Sequence, residues 1–356
     1  PEDGFPVVHA PAADLPLPLA AQLVALRSRG RQVLAVGTAD EQLDWASAYC
    51  DFAQHSQDLF GHSDHVLLED AREMVLHMTS QRSARAVYVR ARWAEQKRMG
   101  LETEAPLAYD WYQWLAKNGF SRALYRIGII HEIRHEYDAA LRAFREGAAA
   151  EDAGCLYALG VILLKALDGQ AADVPTALDF LRRAAAGADA DVPAALYVYG
   201  MLLTGGALAD WAVPAHMVDV DEAHGRELLE RAALYGVAPA LVSLGMAWQQ
   251  GTLGLPFDPA VSLHYYVLAA KRGDADACLE IAKWFLTGCD GIFDADPERA
   301  FKYAERAVAR GSSQAEFALG YFYEVGIYVS ADMDKARQWY TRAAEHDNED
   351  ARQRLA

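Results

Sequence analysis

The stretch AEFALGYFYEVGIYVSADMDKARQWYTRAA, at Ala315–Ala344, contains two short helical patterns joined by a turn. The first pattern is built around Gly320, and the turn contains Gly326. The second pattern opens at Asp332, a residue type that caps helix N-termini, and continues through small and aromatic residues. Neither helix can bury its apolar face alone, so the stretch predicts neighbours of the same kind.

A register of three positions repeats through most of the chain. We call Gly320 the marker; a small residue lies five positions before it and a large apolar or aromatic residue lies three before it. A residue without bulk lets a neighbouring helix approach closely, and the aromatic residue fills the space beside it. Earlier markers are Ala91, Gly128, Gly160, Gly200, Gly245 and Ala282. The predicted units are 82–119, 121–151, 152–190, 191–236, 237–273, 274–311 and 312–347.

The length of the units indicates the type of repeat. Successive markers are 37, 32, 40, 45, 37 and 38 residues apart, whereas a tetratricopeptide repeat takes about 34. The runs LGYFYEVG, DKARQWYTRAAEHDN, LHYYVLAAKRGD and LLERAALYGV resemble the Sel1-like repeat, a relative of the tetratricopeptide repeat. The resemblance implies an all-α fold, a right-handed superhelical solenoid of helix-turn-helix repeats over 82–356, with the start of a further repeat at its end.

Two segments precede the array. Residues 1–39 are rich in proline and predict an arm that is largely extended or disordered, with a short helix over Leu19–Arg27, and they do not read as a signal peptide. Residues 40–81 predict a leading helical pair, Glu41–Leu59 and Val66–Met78, which we interpret as a degenerate repeat. This pair carries four histidines whose spacing favours solvated surface over a metal cluster: His55, His62, His65 and His77.

Composition excludes several functional classes. The net charge of −17 argues against a nucleic-acid partner. Four cysteines without metal-type spacing, and no N-x-S/T triplet, favour a reducing compartment. The uncharged run Val192–Ala209 is long enough for a membrane span, but it carries the marker Gly200 and breaks at Gly205, so we interpret it as a buried repeat helix with the start of a loop.

One catalytic motif is present. His131, Glu132 and His135 match H-E-x-x-H, in which two histidines one helical turn apart bind zinc and the glutamate acts as base. The match falls where the first helix of its unit should end, with the second beginning at about Tyr137, so a continuous helix through both histidines is not expected. A zinc hydrolase is therefore the least favoured function, and we expect no enzyme activity and no cofactor.

Candidate binding residues are those on the first helices that the repeat itself does not need. First helices line the inner surface of such superhelices, where an extended peptide usually lies. The predicted partner-binding residues are Arg122, Arg126, Met201, Met246, Gln249, Glu280, Lys283, Tyr321 and Glu324. A second candidate is the apolar loop Gly205–Val220, which either docks a partner or folds back over its own repeat; its notable residues are Trp211, Pro214, His216 and Met217.

A closer resemblance covers Val261–Leu355 strongly and 82–260 more weakly: this sequence is similar to the fungal chitin synthase activator family. That resemblance implies a non-catalytic scaffold that binds a cytosolic region of the membrane-embedded synthase, raises its activity and helps deliver it to growth sites such as the bud neck and septum. The implied location is cytoplasmic, peripheral to the plasma membrane.

Two points stay open at this stage. Many members of the family end in a prenylated cysteine motif, and this sequence stops at Ala356 without one. We therefore expect membrane association through the partner or through a lipid anchor beyond this sequence. The alternative function is a Sel1-like adaptor in protein quality control or signalling.

Overall fold

The computed structural model describes residues 19–55, 62–97, 99–167, 170–206, 213–289 and 291–355. These residues are all-α, as predicted; in them, extended pairing is limited to an isolated bridge between Cys289 and Phe293. The helices are α1 (Leu19–Val36), α2 (Ala39–His55), α3 (His62–Ser80), α4 (Ala84–Glu95), α5 (Ala108–Lys117), α6 (Arg122–Ile133), α7 (Tyr137–Ala149), α8 (Ala153–Lys165), α9 (Val174–Ala186), α10 (Ala194–Leu203), α11 (Glu222–Leu234), α12 (Ala238–Gln250), α13 (Pro259–Lys271), α14 (Ala275–Thr287), α15 (Pro297–Val308), α16 (Ser313–Val325), α17 (Met333–Glu345) and α18 (Glu349–Leu355).

The chain divides into two compact units, which are described separately. The N-terminal unit holds the described residues between 19 and 202 and between 206 and 219. The C-terminal unit holds residues 203–205 and the described residues from 220 onward. In both units, consecutive helices pack against each other as hairpins, for example α8 with α9 and α16 with α17.

Aspartate side chains cap the second helix in the last five repeats. The predicted cap Asp332 accepts a hydrogen bond from the backbone N–H of Lys335 at 3.0 Å. Each such cap satisfies one of the backbone N–H groups that have no partner inside the helix, a contribution of about 1 kcal/mol. The same arrangement recurs at Asp173, Asp221, Asp258 and Asp296.

The marker glycines allow the two helices of a repeat to approach closely. A Cβ atom on Gly320 would lie 2.5 Å from the ring of Tyr340, which belongs to the second helix α17. The aromatic residue three before this marker, Phe317, contacts the same ring with a centroid distance of 5.2 Å. Both features expected from the sequence are therefore confirmed here. Other markers face a second-helix side chain equally closely: Gly128 faces Phe144, Gly160 faces Leu181 and Gly245 faces Tyr266.

Three repeats add a partly buried hydrogen bond to this contact. The hydroxyl of Tyr340 donates to Glu324 at 2.6 Å, and that of Tyr266 donates to Gln249 at 2.6 Å. Tyr112 donates to Glu95 at 2.8 Å in the same way. In each case the acceptor lies four residues after the marker, so a polar residue at this position serves the repeat's own packing.

Removing these hydroxyls is expected to destabilise the repeats. Tyr266→Phe should cost about 1 kcal/mol and Tyr340→Phe about 2 kcal/mol, because the second acceptor is a charged carboxylate. Hydrogen bonds from Arg354 and Tyr340 lower the pKa of Glu324. The free energies of unfolding of the two variants should therefore differ at neutral pH. This difference should shrink as the pH falls through the lowered pKa of Glu324, because the carboxylate is then protonated. Urea unfolding at several pH values measures it, with the exposed Tyr235→Phe as a neutral control.

The prediction of a largely extended or disordered arm over 1–39 is wrong for the second half of that segment. Residues 1–18 lie outside the described residues, but the chain is helical over Leu19–Val36, well beyond the short helix predicted. The reason is tertiary packing: Leu23 is buried, and the indole N–H of Trp45 donates to the carbonyl of Leu26 at 2.9 Å. Gly30 lies against the Trp45 ring. Glycine weakens an isolated helix, but here the ring leaves no room for a larger residue.

The leading pair corresponds to α2 and α3. Residues 56–61 lie outside the described residues, as do the side chains of His55 and His62. His65 is exposed, and His77 forms a hydrogen bond with Gln81 at 2.9 Å. The interpretation of this pair as a degenerate repeat stays a prediction.

Of the uncharged run at 192–209, the structure describes residues 192–206, and within them the helix is the ten-residue α10, as expected for a repeat helix. Within the part of the chain that the structure describes, no helix has both the length and the apolar character needed to cross a membrane.

Candidate partner-binding site

The structure describes all nine predicted binding residues and distributes them over the two units. Arg122, Arg126 and Met201 belong to the N-terminal unit. The other six belong to the C-terminal unit: Met246, Gln249, Glu280, Lys283, Tyr321 and Glu324. They therefore form two candidate surfaces, each considered by itself.

A groove of about 640 Å³ surrounds Arg122 in the N-terminal unit. Its walls are α2, α4 and the turns that join consecutive repeats at 119–122, 151–153 and 187–191. Three turns from successive repeats thus converge on two earlier helices. We call this space the charged groove, because five carboxylates and three guanidinium groups line it.

Arg122 is held by three aspartates of the charged groove. Its Nε donates to Asp152 at 2.6 Å, and its Nη1 donates to Asp189 at 3.0 Å and lies 3.5 Å from Asp191. The Asp152 side chain is only 3% exposed, and it also caps α8 by accepting from the backbone N–H of Cys155 at 3.0 Å. Burial opposes the charge of Arg122, but the hydrogen bonds to Asp189 and Asp152 raise its pKa overall.

A second arginine connects the turn at 187–191 to α4. Arg92 pairs with Asp191 and donates to the hydroxyl of Ser47 at 3.1 Å. Asp191 lies 99 residues further along the chain than Arg92. Ion pairs therefore connect the elements that line the charged groove, and Arg122 takes part in them.

Arg126 also serves the repeat. Its Nη2 donates to Glu95 at 2.6 Å, and Glu95 accepts from Tyr112 as well. Burial opposes the charge of Arg126, whereas the nearby Glu95 raises its pKa overall. The assumption that the repeat does not need Arg126 is wrong, although its role in binding a partner stays a prediction. Met201 is half-buried in α10.

In the C-terminal unit, three predicted residues share one repeat position. Met246, Lys283 and Tyr321 each directly follow a marker on the first helices α12, α14 and α16. They are 42%, 55% and 40% exposed, the value for Lys283 being that of its side chain. We call these three residues the first-helix stripe. Glu280 borders it and pairs with Lys283 at 2.6 Å.

The remaining two residues, Gln249 and Glu324, are committed to their own repeats. They accept the tyrosine hydroxyls described above, and Glu324 also pairs with Arg354. The assumption that the repeat does not need them is therefore wrong. The sequence signal was available: a polar residue four after the marker accompanies a tyrosine about sixteen residues later in each of these repeats.

The H-E-x-x-H match does not lie on one helix. Helix α6 ends at Ile133, and His135 has a φ of 60°, in the left-handed region, which confirms the expected break. His131 instead contacts Tyr109 and Glu136, and His135 contacts the hydroxyl of Tyr137. Within the described part of the chain, no three potential ligand side chains come together as a metal site would require.

The loop Gly205–Val220 is described only in part. Residues 207–212, and with them Trp211, lie outside the described residues. Of the rest, Val213 and Val218 pack against a cluster that includes Leu202. The described portion thus favours the alternative in which the loop folds back over its own repeat, with Met217 left exposed.

Comparison with known families identifies the repeats. The family described as Sel1 repeat matches residues 153–189, 193–234, 238–274, 275–312 and 313–348. The chain belongs to the Sel1 repeat family. The five matches agree with the last five predicted units. The Sel1 units predicted at 82–119 and 121–151 lie outside the matched residues, although the helix pairs α4–α5 and α6–α7 form hairpins there.

Curated relatives confirm the resemblance to chitin synthase activators. Chitin synthase regulatory factor 4 of Schizosaccharomyces pombe is 32% identical over 378 residues, covering 100% of this chain and 58% of that protein. Chitin synthase regulator SKT5 of Saccharomyces cerevisiae is 32% identical over 252 residues, covering 69% of this chain and 35% of that protein. The chain therefore spans little more than half the length of the first relative and about a third of the second.

A solved structure supports the fold alone. The Escherichia coli protective antigen c5321, which displays an SLR fold, aligns with a TM-score of 0.56 and 19% identity. The alignment covers 94% of this chain and 66% of that one. At this identity the similarity extends to architecture and not to function.

Proposed function

We propose that the chain is a non-catalytic adaptor that binds a chitin synthase and regulates its activity or location. The observation that carries this proposal is the similarity to chitin synthase regulatory factor 4, which extends over the whole chain. The name of that relative, and that of SKT5, refers to regulation of a synthase. In this proposal the chain works in the cytoplasm at growth sites or the septum, peripheral to the plasma membrane.

The proposed contact surface is the first-helix stripe. Met246, Lys283 and Tyr321 offer two large apolar side chains and one cation to solvent, at one position on three successive first helices. Repeat arrays bind extended segments along such surfaces, because every repeat presents the same position again. A cytosolic segment of the membrane-embedded synthase held there would favour the state that binds it best, whether active or correctly located.

A variant with Met246→Ala, Lys283→Glu and Tyr321→Ala is expected to bind the synthase segment at least about tenfold more weakly. This change corresponds to a loss of roughly 1.4 kcal/mol or more of binding free energy. Pull-down of each cytosolic region of the chitin synthases from the same organism measures binding. Chitin synthesis by membranes, with and without the added protein, measures regulation.

The matched control is Lys302→Glu with Lys335→Glu, which reverses exposed charges on second helices. It should bind like the original protein. Equal binding by the stripe variant would remove the stripe from the proposal. If no synthase region binds and chitin synthesis does not respond, the proposed function itself is wrong. Arg126 is a poor choice for this test, since reversing its charge would break the partly buried pair with Glu95.

A further inference from the structure

The last repeat encloses a buried carboxylate between two basic side chains. Glu316 lies on the first helix α16, four residues before the marker Gly320, and its side chain is only 4% exposed. It accepts a hydrogen bond from Nη2 of Arg342 at 2.9 Å and lies 2.7 Å from Nδ1 of His346. Arg342 belongs to the last turn of the second helix α17, and His346 directly follows that helix. One carboxylate therefore serves two basic positions at the end of the second helix.

The preceding repeat has the same two basic positions without the carboxylate. Arg306 belongs to the last turn of α15, and Arg310 follows four residues later. The first-helix residue that corresponds to Glu316, again four before the marker, is Cys278. Nη1 of Arg310 donates to the Cys278 sulfur at 3.3 Å. Burial raises the pKa of this thiol, although the charges of Arg310 and Arg306 act in the opposite direction, so the sulfur stays neutral.

Arg310 is held by neutral acceptors. Besides the sulfur, its guanidinium donates to the carbonyls of Arg306 at 3.2 Å and Ala270 at 3.5 Å. Ala270 belongs to α13 of the repeat before, so the side chain reaches back across the turn between the two repeats. Arg306 lies over the ring of Tyr303, 4.8 Å from its centroid. Both arginines are exposed, and among the residues that the structure describes neither has a carboxylate at ion-pair distance.

Arg272 occupies the position of Arg310 one repeat earlier, and each directly precedes a glycine with a positive φ, of 88° and 87°. Arg272 packs against the turn before it, where a Cβ atom on Gly236 would lie 2.4 Å from Nε. Its hydrogen bond to the carbonyl of Leu268 is long, at 3.5 Å. Burial alone lowers its pKa, and no carboxylate of the described chain lies at ion-pair distance, so no counter-charge offsets the desolvation of the guanidinium. We call Arg272, Arg306 and Arg310 the arginine row.

The carboxylates near the arginine row either cap a helix or face solvent. Asp274 caps α14 by accepting from the backbone N–H of Ala277 at 2.8 Å. Burial raises the pKa of Asp274, and the charge of Arg310 lowers it too little to reverse that shift. Asp276 and Glu305 are exposed, and within the described residues they form no ion pair with the row. The guanidinium groups of the row therefore keep hydrogen-bonding capacity that a carboxylate from another molecule can use.

We propose that the arginine row binds an acidic segment of a partner protein, whose carboxylates pair with Arg272 and Arg310 as Glu316 pairs with Arg342 in the last repeat. A guanidinium and a carboxylate can form two parallel hydrogen bonds, which makes the pair selective for planar anions. Arg272 and Arg310 belong to successive turns, and packed helices lie about 10 Å apart. In an extended segment, at about 3.3 Å per residue, carboxylates three residues apart match this spacing.

A protein segment fits the arginine row better than a membrane does. An anionic lipid surface would attract the row but repel Asp276 and Glu305, which are exposed near it, and the whole chain has a net charge of −17. The row lies at the ends of second helices, whereas the first-helix stripe lies within first helices. A partner can therefore engage the row without the stripe, and it need not be a chitin synthase.

Selection from a random peptide library tests the proposal with no known partner. Peptides of about 12 residues, which span roughly 40 Å when extended, are selected on the whole protein and depleted on an Arg272→Gln, Arg306→Gln, Arg310→Gln variant. The remaining peptides should be enriched in aspartate or glutamate at a spacing of three residues, although the negative net charge of the protein disfavours acidic peptides. Their affinity, measured by fluorescence anisotropy, should fall at least about tenfold on the triple variant and should weaken as salt is raised.

The matched control is Lys302→Gln with Lys335→Gln and Arg337→Gln, which removes three exposed cations from the same unit and changes the net charge equally. This control and the first-helix stripe variant should bind the selected peptides normally, so failure here is distinguishable from failure of the proposed function. Three results would overturn the inference: no peptide that depends on the arginine row, peptides enriched in basic residues, or binding of phosphatidylserine vesicles that the triple variant abolishes.

A second variant supplies the missing carboxylate from within the chain. Cys278→Glu places a carboxylate at the position of Glu316, where it should pair with Arg306 and Arg310 and weaken peptide binding at least about threefold. Cys278→Gln has a similar size without the charge and should bind like the original protein. Circular dichroism establishes that both variants are folded; if the buried position tolerates neither side chain, the triple variant still decides. Equal peptide binding by the two variants would show that the row does not take carboxylates as the last repeat does.

Discussion

Replacing Arg122 by alanine is expected to destabilise the N-terminal unit by about 3 kcal/mol. The variant leaves the carboxylate of Asp152 in place, although that side chain is only 3% exposed and loses its charged partner. A buried charge without a counter-charge is costly, and this cost dominates the result. Losing the ion pair with Asp189 should change the free energy of unfolding only slightly, because the Asp189 side chain is 52% exposed and water replaces the arginine there.

Hydrogen exchange of α8 and urea unfolding measure this effect, since Asp152 caps that helix. A double-mutant cycle with Asp152→Asn isolates the pair, because asparagine keeps an oxygen that caps the helix but carries no charge. The double variant should be less destabilised than the sum of the two single variants. The control is Arg182→Ala, whose ion pair with Asp179 is exposed and should contribute less than about 0.5 kcal/mol. Equal effects of Arg122→Ala and Arg182→Ala would show that the charged groove is not held together by its ion pairs.

The repeat fold was predictable because its contacts are local in sequence. The marker Gly320 and the ring of Tyr340 lie in one hairpin, twenty residues apart, and the markers Gly128, Gly160 and Gly245 each meet a side chain 16 to 21 residues later in their own hairpin. A recurring small residue therefore reports a recurring close approach. The resemblance to the Sel1-like repeat rested on the same residues, and the family match confirms it over the last five units.

The helix over Leu19–Val36 was not predictable in the same way. Its sequence contains Gly30 in its middle and follows several prolines, which together favour an unstructured arm. The contact that stabilises it comes from Trp45 in another helix. Local propensity is a weak guide wherever such a tertiary contact decides the outcome.

The binding surfaces were predictable only in part. The exposure of Met246, Lys283 and Tyr321 follows from their repeat position. The burial of Arg122 does not, because its partner Asp189 lies 67 residues away and reaches it only through the packing of two consecutive repeats.

Gly128→Ala is expected to destabilise its repeat by about 2 kcal/mol. The added Cβ atom would lie 2.2 Å from Cε1 and 2.6 Å from Cδ1 of Phe144, whose side chain is fully buried. Forcing extra volume into a packed core typically costs about 1–3 kcal/mol, and an approach this close should cost the upper value; subtracting the gain of roughly 1 kcal/mol that alanine brings to a helix interior leaves about 2 kcal/mol. Hydrogen exchange of α6 and α7 measures the loss where it occurs, because stability in repeat arrays is set by each repeat and its neighbours.

Two further variants decide whether close approach is the reason for the glycine. Gly187→Ala adds a Cβ at an ordinary distance of 3.4 Å from Ala153, at a residue with a φ of −95°, and should be nearly neutral. Adding Phe144→Leu to Gly128→Ala should recover part of the loss, since the next repeat already pairs Gly160 with Leu181. If Gly128→Ala is as neutral as Gly187→Ala, the helices can separate at little cost, and the marker no longer accounts for the spacing of the array. If it is destabilising and the second substitution restores stability, the contact between marker and second helix sets how closely the repeats can pack.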